Sequence, residues 1–123
     1  MRIKVTVGDI VLEGELFDTP CAREIFKLLP LEAEAKEWGD EFYFEIPLRW
    51  PLDETATKEV KVGDLGYWPP GHALAIFFGP TPLSRSGDPV PASEVNLVGR
   101  LKGAEALRAA RGQRKIRVEP LDA

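Results

Sequence analysis

Few residues in this chain are suited to chemistry. Glu45 follows Phe42, Tyr43 and Phe44 in one short apolar run. Burial beside aromatics penalises a charged carboxylate and moves it toward general-base use. The alternative is a carboxylate on the polar face of a strand, facing water or paired with Arg49. His72 is the one histidine and stands in a Gly- and Pro-rich loop, either a ligand contact or an inert exposed group. Around it runs GDLGYWPPGHALAIFFGPTP, residues 63–82, which holds Tyr67, Trp68 and Phe78. Aromatics beside stiff loops make a pocket wall or a barrel core with equal ease. The groove reading places Tyr67, Trp68 and Phe78 on one wall, Tyr43 beside them, and Glu45, Arg49 and His72 near the rim.

Cys21 is alone, so an internal disulfide and a cysteine metal cluster are excluded. With one His, a zinc site would need carboxylates for its remaining ligands. Cys21 falls in the first turn of an expected helix, where the dipole can lower a thiol pKa. The competing reading is a small buried packing residue. Nucleophile elbows, phosphate loops and paired carboxylates are missing from the pattern. No catalytic residue, metal or cofactor is therefore assigned.

The elements that must position these groups are mostly strands. Ile3, Val5 and Val7 alternate with polar residues, Gly8-Asp9 turns, and 10–17 returns as a second strand with Glu13 and Glu15 on one face. Thr19 and Pro20 form a helix start, and Ala22, Ile25, Phe26 and Leu29 form its apolar stripe. Residues 31–38 mix helix formers with strand alternation. The Gly39-Asp40 turn into 41–46 favours two strands, the second with Phe42, Phe44 and Ile46 on one face and Tyr43 and Glu45 on the other. Pro47 and Pro51 fence Leu48-Arg49-Trp50. Further strands are expected over 58–62, 65–68, 73–78, 94–101 and 115–119, with a short helix over 104–111. The Ser-, Gly- and Pro-rich stretch 83–92 reads as a surface loop at the mouth of a site. A mainly β fold follows, a closed antiparallel barrel of about eight strands with two capping helices, as a single domain over residues 1–123.

A chain of 123 residues suits one modest core, and 44% hydrophobic with 29% charged residues is ordinary for a globular protein. No apolar run approaches the roughly 18 residues of a membrane span, and the N-terminus alternates like a strand. A cytoplasmic protein without a membrane partner is expected. The net charge of −4 argues against nucleic acid as a partner. Residues 100–117 nevertheless carry seven basic side chains against one acid, Glu105. That segment meets phosphate, or an acidic partner, or is plain solvated charge. Asn96 and Gln113 are the only side-chain amides and Met1 the only methionine, a composition that hints at a thermophilic source.

The element order and three local segments resemble cyclophilin. VLEGELFDTPCAREIFKLLP is similar to its second strand and first helix, ALAIFFGPTP to its double-Phe strand, and NLVGRLKGAEALRAARG with KIRVEPL to its closing strand, second helix and last strand. The compact length and the GDLGYWPPG and FFGPTP segments are closer still to a small prokaryotic cyclophilin-like family of unassigned function. The resemblance implies an eight-stranded barrel. It does not carry the isomerase residues with it. Cyclophilins polarise the prolyl amide with an Arg on the third strand and place a Gln on the fourth. Between Glu32 and Ile46 this chain offers only Lys36, and its one Gln is Gln113. An apolar residue near Val95 replaces the expected His, and Phe78 alone persists as a wall. Lys cannot reproduce the planar fork of Arg. What remains is a binding module for a small molecule or an extended peptide. The alternatives are an enzyme using Glu45 or His72, prolyl isomerase included, and a structural protein forming homo-oligomers through an exposed aromatic patch.

Overall fold

The computed structural model describes residues 1–121; Asp122 and Ala123, at the end of the expected domain, lie outside the described range. The N-terminal hairpin forms as its alternation requires. Strand β1 (Arg2–Val7) pairs antiparallel with β2 (Ile10–Leu16), and Ile3, Val5 and Val7 are buried while Val11, Glu13 and Glu15 face out. Thr19 caps helix α1 (Pro20–Lys27) by accepting from the Ala22 N–H, with Pro20 in the first turn. Cys21, Ala22 and Ile25 bury its inner face, and the helix packs on β2 and on β9 (Val95–Leu101).

The 31–38 segment is extended, with one interruption. Strand β3 (Leu31–Glu34) pairs with β10 (Lys115–Pro120), and β4 (Lys36–Glu37) pairs with β5 (Glu41–Glu45). Between them Ala35 leaves the ladder and donates its N–H to Arg114 O at 2.7 Å. This kink joins the two ends of the sheet. The strand order is β3-β10-β1-β2-β9-β7-β8-β5-β4, with β7 at Asp64–Trp68 and β8 at Ala73–Phe77. Counting β3 and β4 as one bent strand, and setting aside the two-residue β6 (Ala56–Thr57) on β9, eight antiparallel strands remain. The barrel is nearly closed. A 3₁₀ helix, Ala104–Ala110, stands where a short α-helix is expected and packs on β2.

One expected strand is absent. Residues 58–62 form no ladder, because local side chains take their backbone donors. Thr57 Oγ1 accepts from Glu59 N at 2.9 Å, and an Asp64 carboxylate oxygen accepts from Lys61 N at 2.8 Å. Val60 and Val62 then pack against different clusters instead of sharing an inner face.

The main core fills the barrel with Ile3, Leu16, Ile25, Phe42, Leu74, Ile76, Phe78 and Ile116 among others. A second, smaller cluster lies on the outside of the sheet, formed by Val60, Ala75, Phe77 and Val95 with Tyr43 and Trp68 against it. That outer cluster carries the candidate site. Among the described residues no helix is long and apolar enough to cross a membrane.

Candidate functional site

Strand β5 turns Phe42 and Phe44 inward and presents Glu41, Tyr43 and Glu45 on its outer face. Its ladder with β8 sets Glu41 opposite Phe77, Tyr43 opposite Ala75 and Glu45 opposite Ala73. On the other side of β8, β7 sets Trp68 opposite Ala73 and Gly66 opposite Ala75. The small residues at the centre leave room, and the large rings stand around it. A Cβ at Gly66 would come within 2.8 Å of Val95, so this position admits no larger side chain beneath the pocket.

The Tyr43 and Trp68 rings meet nearly edge to face, with centroids 6.4 Å apart and planes at 76°. Trp68 is held from two directions. Its Nε1–H donates to Ser93 Oγ at 2.7 Å, and the Pro69–Gly71 3₁₀ turn backs its ring so closely that a Cβ at Gly71 would lie 2.8 Å from it. Trp38, Phe77, Pro91, Ala92 and Val95 complete a pocket of about 110 Å³. Pro91 and Ala92 come from the end of the loop that precedes β9.

The only charged side chain in that wall is Glu41. It is 8% exposed, and its Oε1 is buried without a hydrogen-bond partner. Such groups are rare in folded proteins and costly. Burial pushes the carboxyl pKa up from 4.5 to about 8, so at neutral pH the group is mostly the uncharged acid. In the second surface depression, by α1 and Trp50, the Asp53 carboxylate is already hydrogen-bonded by its neighbours. There Asp53 accepts from Thr55 N at 2.8 Å, from Thr55 Oγ1 at 2.6 Å and from Trp50 Nε1 at 3.3 Å. Among the described residues no three His, Cys, Asp or Glu side chains gather to hold a metal.

The cyclophilin-like family pattern matches residues 1–119 of this chain. The chain belongs to the cyclophilin-like family. The barrel is similar to the solution structure of a hypothetical protein from Archaeoglobus fulgidus, with a TM-score of 0.81 and 34% identity over 98% of this chain and 95% of that one. A search of the curated proteins returns no match.

Within this cyclophilin-like barrel the expected site residues separate into three places. Tyr43 and Trp68 share the pocket. Glu45, Arg49 and His72 share a different, shallow depression, brought together where Ile46 N donates to His72 O at 2.9 Å. Tyr67 and Phe78 are fully buried in the barrel core and line no groove. The reason is strand parity. Tyr67 and Trp68 are consecutive on β7 and must point to opposite faces, as must Phe77 and Phe78 at the end of β8. Phe78 packs on Phe42 with centroids 4.8 Å apart, and Phe77 is the residue on the pocket. The Tyr67 hydroxyl donates to Leu48 O and accepts from Trp50 N, tying the proline-fenced segment to the barrel end. Burial raises its pKa.

Sequence reasoning missed Trp38, Phe77 and, above all, Glu41. A signal for Glu41 was present, since the alternation that puts Tyr43 and Glu45 on one face puts Glu41 there too. Glu45, singled out for its aromatic neighbours, is exposed, which agrees with the alternative of a carboxylate facing water. Cys21 is fully buried, as the packing reading has it, and burial first of all lifts its pKa to about 11, the reverse of what a helix dipole could do. The basic C-terminal segment is largely consumed within the molecule. Arg100 pairs with Asp64, Arg108 and Arg111 with Asp40, Arg111 also with Glu37, and Arg117 with Glu32 and Glu119.

Proposed function

We propose that this cyclophilin-like protein is a small-ligand-binding module whose site is the outer pocket between β5, β7 and β8, and that it is not an efficient prolyl isomerase. The observation that carries the reading is Glu41, a buried carboxylate with a free oxygen at the base of an aromatic pocket. Aromatic area supplies affinity there, and one polar group fixes orientation. A structural role alone gives no reason to leave Oε1 unsatisfied, whereas a ligand donor gives one. An extended peptide is a weaker fit, because the cavity is compact and the rim residues Glu45, Arg49 and His72 belong to another depression. The raised Glu41 pKa also suits proton transfer. However, no second ionised group faces the pocket to share such work, so binding is the better supported function. The single free cysteine fits a cytoplasmic setting.

Tryptophan emission tests this directly. Compounds that occupy the pocket should shift the emission of the parent protein and leave a variant carrying both Trp38→Leu and Trp68→Leu, the two pocket tryptophans, nearly silent; equal responses from both proteins would place binding elsewhere. In a protease-coupled assay on Xaa-Pro peptides, the rate should match buffer. A clear excess over buffer that is lost on substituting Phe78 would overturn the isomerase statement.

A further inference from the structure

We propose that the pocket takes an alkylated ammonium head group, with Glu41 as its counter-charge and the rings of Trp38, Tyr43 and Trp68 as its walls. The proposal rests on the pocket being a ligand site and names the ligand's chemistry. Three features of the geometry point to a cation. Glu41 is the only charged side chain in the wall, it is 92% buried, and no donor of the protein satisfies Oε1. Two of the rings stand almost perpendicular, 76° apart, so a rounded group seated beside the pair meets ring surfaces set at a fixed angle. Aromatic faces attract cations through their quadrupole, most strongly for Trp and where water is excluded. A strongly hydrated primary ammonium would lose more on entering than a methylated one, whose charge is spread over apolar carbons.

Size agrees with this choice. At about 30 Å³ for each water-sized volume, a 110 Å³ cavity holds roughly four non-hydrogen atoms, the size of a trimethylammonium group. A longer ligand would have to leave its remainder outside. The head group can belong to a free metabolite or to a methylated lysine side chain; the recognition chemistry is the same.

Binding of a fixed cation requires Glu41 to ionise. A raised carboxyl pKa then means that a proton is released to solvent as the cation enters. The titratable groups on the surrounding faces are Tyr43 and Glu45 on the same strand, Lys36 opposite Tyr43 on β4, and Glu94 beside Val95. Lys36 is exposed and forms no ion pair with Glu41, and β8 contributes no ionisable group to this face.

Calorimetric titration of the full chain with tetramethylammonium and choline, against the neutral choline isostere 3,3-dimethylbutan-1-ol, tests the assignment. Choline should bind at least about tenfold more tightly than the isostere. Its affinity should rise by about tenfold per pH unit from pH 6 toward 8, with heats that depend on the buffer as one proton leaves. Glu41→Gln should abolish the preference for charge and the proton release, while retaining the near-UV spectrum and any binding of the isostere. A trimethyl-lysine peptide that binds far above choline would assign the head group to a protein side chain, and parity would assign it to a free molecule. Equal affinity for choline and isostere, or an unchanged preference in Glu41→Gln, would overturn the ammonium assignment and leave the aromatic pocket as a site for neutral ligands. Silence toward all of these probes would remove the ammonium reading, and silence in the broader emission screen would remove the binding site itself.

Discussion

Asp40 and Glu41 are neighbours in the chain and equally buried, each 8% exposed, yet their carboxylates meet opposite surroundings. Asp40 lies against Gly79 and receives Arg108 at 3.2 Å and Arg111 at 3.0 Å. Glu41 points to the other side, into an aromatic pocket, and its Oε1 has no partner. Asp64, 2% exposed, repeats the Asp40 solution with Arg100 at 3.0 Å. Where a buried acid closes the barrel, the fold brings it a guanidinium from far along the chain. At the pocket it brings none. Because burying an unpaired carboxylate is costly, the difference marks Glu41 as a group whose partner comes from outside.

The comparison breaks most visibly at the paired acid. Arg108→Ala with Arg111→Ala should leave Asp40 buried and uncompensated, lowering stability in urea unfolding by about 4 kcal/mol. A loss within error would mean that the arginines merely decorate the surface.

Glu41 should behave in the reverse manner. Its folded pKa of about 8 lies above the ordinary 4.5, so the folded state holds a proton that the unfolded state releases. The Glu41 contribution to stability should therefore be greatest below about pH 4.5, decline as pH rises toward 8, and level off above it. The expected decline is about 3 kcal/mol, below the full linkage value because a pocket wall relaxes and admits water. Glu41→Gln should remove this component and be the more stable protein at pH 9. A parent profile that is flat between pH 5 and 8 would show that Glu41 has found a partner.

The smallest change in stability is expected at the pocket rim. Trp68 is half-buried outside the main core, so Trp68→Leu should cost no more than about 1 kcal/mol while weakening ligand binding. A much larger loss would make Trp68 a structural residue and weaken the contrast between pocket and core.

Much of the fold was legible from local rules. The alternation of Ile3, Val5 and Val7 and the Thr19-Pro20 start of α1 express choices made by adjacent residues, and both stand in the structure. The hairpin at Gly39-Asp40 is of the same kind, since Trp38 N donates to Glu41 O across it. The 58–62 strand failed because Thr57 and Asp64 offered closer acceptors than any ladder.

The candidate site was legible only in part, and β8 shows why. Ala73, Leu74, Ala75, Ile76, Phe77 and Phe78 are all apolar and all buried, so no polar residue reveals which face each one takes. The ladders with β5 and β7 decide that Phe77 faces the pocket and Phe78 the core. The sequence by itself determined the periodicity of most strands, the capped helix and the set of acidic and basic residues available to pair. Only the tertiary structure decided which acid meets which arginine, 36 residues away for Asp64 and 71 for Asp40. Pairing of that kind depends on strand register and on the Ala35 kink that brings the two ends of the sheet together, and neither is a property of neighbouring residues. The alternation that sets Tyr43 on the outer face sets Glu41 there too, but its lack of a partner exists only once every other cation has been placed.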